Sequence, residues 1–162
     1  MPILTSEIVY RLSGGAAHAS ANASLGGAKS STTVPAQLFD DVTGAESAAG
    51  DTEYRCVYVH NANASLTLQN AVLWITANTT GNRIAVGVGT SAINGTEQTI
   101  ADENTAPATV TFSQPTTKAG GLSLGSIPAG QHRAIWIRRT VAAATGAAND
   151  TYTWRVEGDT AA

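Results

Sequence analysis

The chain has 162 residues, of which 43% are hydrophobic, 13% charged and 6% aromatic, a length that suits one domain able to bury roughly 70% of its unfolded surface without staples. Ala (29), Thr (22) and Gly (16) stand where charged residues usually do, which excludes a coiled coil and an ordinary charge-solubilised disordered chain. A net charge of −3 argues against nucleic acid as a partner, the single Cys56 leaves no internal disulfide or thiolate metal cluster, and no run approaches the roughly 18 apolar residues of a membrane span.

The first twelve residues carry Glu7 and Arg11 among scattered apolar ones, without a secretory core, so synthesis in a cytoplasm is expected. Sequons at Asn22, Asn63, Asn78, Asn94 and Asn149 are then accidents of an Asn/Ser/Thr-rich chain. After a strand-like Glu7–Leu12, the run Ser13–Ala36 offers few large apolar side chains and many small ones. It reads as a flexible arm or linker whose 24 residues could reach about 80 Å if extended. The expected division is residues 1–37, an N-terminal strand plus arm, and residues 38–162, a single β domain.

From Leu38 onward, short β-branched and aromatic runs alternate with turn residues. Glu53–His60 places Tyr54, Cys56 and Tyr58 on one face and Arg55, Val57 and Val59 on the other, and two largely apolar faces predict a central strand. Asn61–Ser65 reads as a turn, after which Leu66–Leu68 and Ala71–Ile75 are expected to return alongside as a hairpin with a broken outgoing strand. A turn at Ala77–Asn82 leads to Arg83–Gly89, whose Ile84, Val86 and Val88 alternate with small residues as in a half-buried strand. Gln98–Ile100 is a weak strand signal. Ala108–Phe112, between Pro107 and Pro115, predicts an edge strand.

Leu122–Ile127 and His132–Val141, joined through Pro128-Ala-Gly-Gln131, predict a second hairpin. A small-residue loop over Ala142–Asp150 precedes Thr151–Glu157, with Tyr152, Trp154 and Val156 on its core face. Eight or nine short strands without a sustained helical period give an all-β fold, an antiparallel β-sandwich or jelly-roll-like barrel with an extended N-terminal arm.

Candidate chemistry is sparse. His18, His60 and His132 have no local partner at metal-ligand or triad spacing, and Cys56, between two tyrosines of a central strand, reads as a small buried hydrophobe. The acidic stretch Asp40–Glu53 could hold a hard cation, but it lacks the EF-hand spacing and also reads as a solvated turn. Trp74, Trp136 and Trp154 sit among aliphatic residues, as core tryptophans do; a sugar platform would need one exposed. No catalytic, cofactor or metal residues are assigned, and the protein reads as a non-enzyme. Arg133, Arg138 and Arg139 share one strand, whereas the first 81 residues hold six acids against three bases. The candidate interface is therefore Arg133, Arg138 and Arg139 against Asp40 and Asp41 of a neighbouring copy.

The stretches Ala23–Ser31, Leu38–Asn61, Ile127–Gln131 and Ala134–Arg139 resemble small virion structural proteins of tailed bacteriophages. The resemblance implies a capsid decoration, or cement, protein on the outer surface of the head. Its partners would be the major capsid protein and copies of itself, as a homotrimer, with neither nucleic acid nor membrane bound and no cofactor. A tail or neck protein and a carbohydrate-binding β-sandwich module are the alternatives.

Overall fold

The computed structural model describes residues 2–78, 83–144 and 151–160. Part of the expected turn at Ala77–Asn82, part of the loop at Ala142–Asp150 and the sequon at Asn149 lie outside the described residues. After a single 3-10 turn over Thr5–Glu7 come β1 (Ile8–Ser13), β2 (Lys29–Thr33), α1 (Gly44–Ala49), β3 (Asp51–Asn61), β4 (Leu68–Asn78), β5 (Ile84–Val88), β6 (Leu122–Ile127), β7 (His132–Val141) and β8 (Tyr152–Thr160). The strands form two antiparallel sheets, β2-β1-β3-β7-β5 and β6-β4-β8. The fold is all-β as expected, and of the two expected forms it is the sandwich, since neither sheet closes into a barrel.

Alternation sorts the side chains. Val57, Val59, Ile135, Ile137, Ile84 and Val86 of the larger sheet meet Leu68, Leu73, Ile75, Leu124, Ile127 and Val156 of the smaller one. Burial of each such side chain is worth about 1.5–3 kcal/mol. The other face of β3 and β7 carries Cys56, Tyr58, Ala134 and Trp136, covered by Leu25, Ile100, Val110 and Phe112 from the long connections. β3 is thus buried on both faces, as its composition predicts.

Both predicted hairpins fail for one reason. β3 has both edges occupied, by β1 and β7, and β7 by β3 and β5. β4, which follows β3, and β6, which precedes β7, therefore join the opposite sheet. The Asn61 side-chain amide fixes the crossing by donating to the carbonyls of Leu66 (2.8 Å) and Ile127 (2.9 Å). The predicted turn at Pro128–Gln131 does form, with Gln131 N–H donating to the Pro128 carbonyl (3.0 Å) and Gly130 at φ +70°. It joins strands of different sheets rather than a hairpin. The predicted break in β4 appears as a bulge at Asn70, whose φ is +49°.

Three further expectations are corrected. Ala108–Phe112 forms no regular strand; Val86 and Ser113 make an isolated bridge, and Val110 and Phe112 lie over Gly87, where a Cβ would come within 2.6 Å of Val110. That cover buries both faces of β5, which the alternation alone predicts to be half-buried. Thr43-Gly-Ala-Glu46, within the expected acidic turn, caps α1: Glu46 N–H donates to the Thr43 hydroxyl (3.2 Å) and Thr43 N–H to the Glu46 carboxylate (2.6 Å).

The expected arm does not leave the domain. Arg11 and Ser13 of β1 pair with Thr33 and Lys29 of β2, and Ser24 continues the edge of β3 where β1 ends. Cys56 N–H donates to the Ser24 carbonyl (2.7 Å), the Ser24 hydroxyl to the Cys56 carbonyl (2.7 Å), and Ser13 N–H to the Ser24 hydroxyl (2.9 Å). Small residues are required here because backbone meets backbone. At Gly26, with φ +99°, a Cβ would lie 1.8 Å from the Gln98 carbonyl oxygen.

Candidate functional site

β7 presents its arginines to opposite faces. Arg133 donates to the Ser91 and Gly89 carbonyls, the latter at 3.1 Å, and so secures the start of the long connection after β5. Arg138 lies over the Phe112 ring, 5.3 Å from its centroid. Arg139 stands directly opposite Glu53 in the β3–β7 register.

Around Arg139 the chain assembles an internal ionic cluster. Its Nε–H donates to the Glu53 carboxylate (2.5 Å), one guanidinium nitrogen to the Asp40 carbonyl (2.5 Å), and another approaches the Asp40 carboxylate at 3.5 Å. Arg55, two residues beyond Glu53 on the same face and completely buried, donates to Glu103 (2.5 Å) and reaches Glu53 at 3.4 Å and Asp40 at 3.7 Å. Both guanidiniums lie over the Phe39 ring, 5.1 Å and 4.9 Å from its centroid. Burial pushes the Glu53 carboxyl up, to about 7, against the downward pull of Arg139 and Arg55.

The basic strand and the acidic stretch do meet, but they meet within one chain. Arg139 and Asp40 are partners inside the fold; Asp41 accepts a bond from Gln37 (2.9 Å). β3–β7 pairing brings Glu53 beneath Arg139 and Phe39–Asp40 folds across both, so Arg139 and Asp40 meet without a neighbouring copy. The carboxylate oxygens of Asp40, Glu53 and Glu103 lie within 4.8 Å of one another, a spacing a hard cation could use, yet the positive charge at their centre is the Arg55 guanidinium. Glu53 and Arg55 carry the cluster with Arg139. Their alternation with hydrophobic residues on an inward face was the signal for them in the sequence.

Nucleophile and base candidates are held in non-reactive settings. Cys56 is buried, and desolvation together with the nearby Glu97 charge pushes its thiol up. Tyr58 anchors the connections above it, donating its hydroxyl proton to the Gly27 carbonyl (2.6 Å) and accepting from Glu97 N–H (2.9 Å). The Glu97 carboxylate accepts from Thr90 N–H (3.1 Å), the Thr90 hydroxyl (2.9 Å) and Ser91 N–H (2.9 Å). Burial pushes that carboxyl up, but these bonds outweigh it and hold it down, at about 2. The ring of His18 bonds the Ser20 carbonyl (2.7 Å), while His60 and His132, 72 positions apart in sequence, are cross-strand neighbours.

Trp74 and Trp136 are buried as expected, but Trp154 is partly exposed. It stacks on Tyr152 (5.9 Å, 19°) and meets Tyr10 edge-on (5.7 Å, 84°). With Val34, Pro35 and Leu38 these rings line a groove of about 240 Å³ between β8 and the segment leaving β2. No protein-family model, curated protein or solved structure matches this chain.

Proposed function

We propose that this chain is a non-enzymatic virion structural protein of a tailed bacteriophage. It binds the outer surface of the capsid and stabilises the head, in contact with the major capsid protein and with copies of itself. The observation that carries this reading is the disposition of charge. Arg55, Arg139, Glu53 and Asp40 pair with one another within the chain, while β2 and β6, which end their sheets, expose the hydroxyls of Ser31, Thr33, Ser123 and Ser126. Such a surface suits association through many modest contacts repeated by symmetry, which together resist internal pressure. The resemblance of Leu38–Asn61 and Ala134–Arg139 to phage structural proteins gives the partner class.

The test is co-sedimentation of purified protein with heads assembled without it, followed by heating of the decorated and bare heads. Saturable binding that raises the temperature of head rupture is expected. Binding to tails alone moves the protein to the tail or neck, and binding to neither particle discards the virion reading.

The groove at Trp154 favours carbohydrate binding as the second reading, because a partly exposed indole beside a stacked tyrosine is what a sugar face requires. Tryptophan fluorescence across a glycan panel decides it: a saturable change lost in Trp154→Ala supports this reading, and an unchanged spectrum removes it.

A further inference from the structure

His60 and His132 face each other at the end of the β3–β7 ladder. Asn61 N–H donates to the Gln131 carbonyl (3.0 Å) on the next rung, and the His132 carbonyl turns away to accept from Asn94 N–H (2.7 Å). The histidines therefore form a non-hydrogen-bonded rung, where facing side chains come closest. His60 Nε2 donates to the Gly130 carbonyl (3.2 Å), and the Gly95 carbonyl lies toward the His132 ring. A carbonyl only accepts, so the neutral His60 ring carries its proton on Nε2 and leaves Nδ1 bare. Both Nδ1 atoms are buried and have no hydrogen-bond partner. The charged and titratable groups facing the pair are Arg11 of β1, Lys29 of β2 and Tyr58 of β3, whose ring meets His132 edge-on at 4.8 Å.

We propose that the His60–His132 pair is an acid-sensitive latch. While both rings are neutral it holds the turn at Pro128–Gln131 and the turn at Ala92–Gly95 against the end of the larger sheet, and it releases them when the rings are protonated. A proton added at Nδ1 creates a buried N–H without an acceptor, beside a second imidazole and two cations. The carbonyls of Gly130 and Gly95 favour the charged rings, but burial and the positive neighbours outweigh them, and both histidines are pushed down from 6.5. Because the folded state binds these protons less readily, the latch is fully engaged above 6.5 and fails as pH falls through the lower folded values. Proton uptake requires the rings to turn toward water, which removes the His60 Nε2–H bond to Gly130 and draws the His132 ring away from Gly95.

Amide hydrogen exchange of the full chain between pH 7.5 and 5, corrected for intrinsic exchange, tests this. Opening at Asn61, Gly130 and Asn94 is expected to rise about tenfold per pH unit for each proton taken up. Tyr54 and Val86, whose amides bond the Glu103 and Ser113 carbonyls, should not follow. Gln places an amide N–H where Nε2–H stood, so His60→Gln with His132→Gln keeps the turns closed and should flatten the pH response. A flat wild-type response, a slope shared by Tyr54 and Val86, or a slope that survives in the double variant overturns the latch. Ring proton resonances of the wild-type protein give a reading independent of any variant, and midpoints at or above 6.5 for both rings overturn it as well.

Discussion

Glu53 faces Arg139 at one end of the β3–β7 ladder and His60 faces His132 at the other. Both pairs lie in the same backbone frame; Glu53 is buried, and Arg139, His60 and His132 are partly buried. At the first end the charges are opposite, Asp40, Arg55 and Glu103 complete the set, and the Phe39 ring supports both guanidiniums. At the second end the partners are alike, the nearby charges are positive, and the arrangement holds only while the rings are neutral. The same ladder thus ends in a joint that charge makes and in one that charge breaks, and the difference lies in which side chains the register sets face to face.

The largest expected effect breaks the ionic end. Arg139→Met removes the main partner of the buried Glu53 and should cost about 3–5 kcal/mol in denaturant unfolding. The loss should grow as pH rises above about 7, where the wild-type Glu53 ionises against Arg139, whereas in the variant the same carboxyl, without that downward pull, resists ionisation. Arg138→Met, one residue away on the opposite face, should cost less than about 1 kcal/mol. Equal losses would mean that the two faces are not distinguished as described.

Gly26→Ala comes next, at about 2–3 kcal/mol, since it combines positive-φ strain with a collision against the Gln98 carbonyl. A thermal melt unchanged by this substitution would show that the Ser13–Ala36 segment is not seated on β3.

Glu97→Gln should cost about 1–3 kcal/mol, because Thr90 and Ser91 lose a carboxylate acceptor in a buried setting. The sign with pH is opposite to that of Glu53. A carboxyl held down at about 2 contributes stability above its ordinary 4.5 and loses it as pH falls toward 2, so the variant should show a shallower acid limb in the urea midpoint. Smallest at neutral pH is His60→Gln with His132→Gln, within about 1 kcal/mol at pH 8. Its difference from wild type should change sign in favour of the variant below pH 6.

Much of the secondary structure is legible locally. β3 shows itself through two apolar faces, β8 through Tyr152, Trp154 and Val156, and the Pro128–Gln131 turn through its Pro and Gly, because pleat and turn chemistry depend on neighbours in sequence. The ionic cluster is only half legible: Glu53 and Arg55 stand out in an apolar strand, but Phe39, Asp40 and Glu103 join them from distant segments. Thr43-Gly-Ala-Glu46 is a readable capping box within a stretch whose acids draw attention first. Ser13–Ala36 misleads because hydroxyl and backbone hydrogen bonds hold it, and these leave no hydrophobic pattern.

The amino-acid sequence by itself determined the all-β class, the central position of β3, the positions of most strands and the low charge. Tertiary structure decided which sheet each strand joins, that the small-residue segment lies on the sheet edge, that Arg139 meets Glu53 and Asp40 within the chain, and that His60 meets His132. The physical reason is the range of the forces involved. Alternation and turn geometry are fixed within a few residues, whereas pairing depends on which strand edges remain open after every other strand has found its partner.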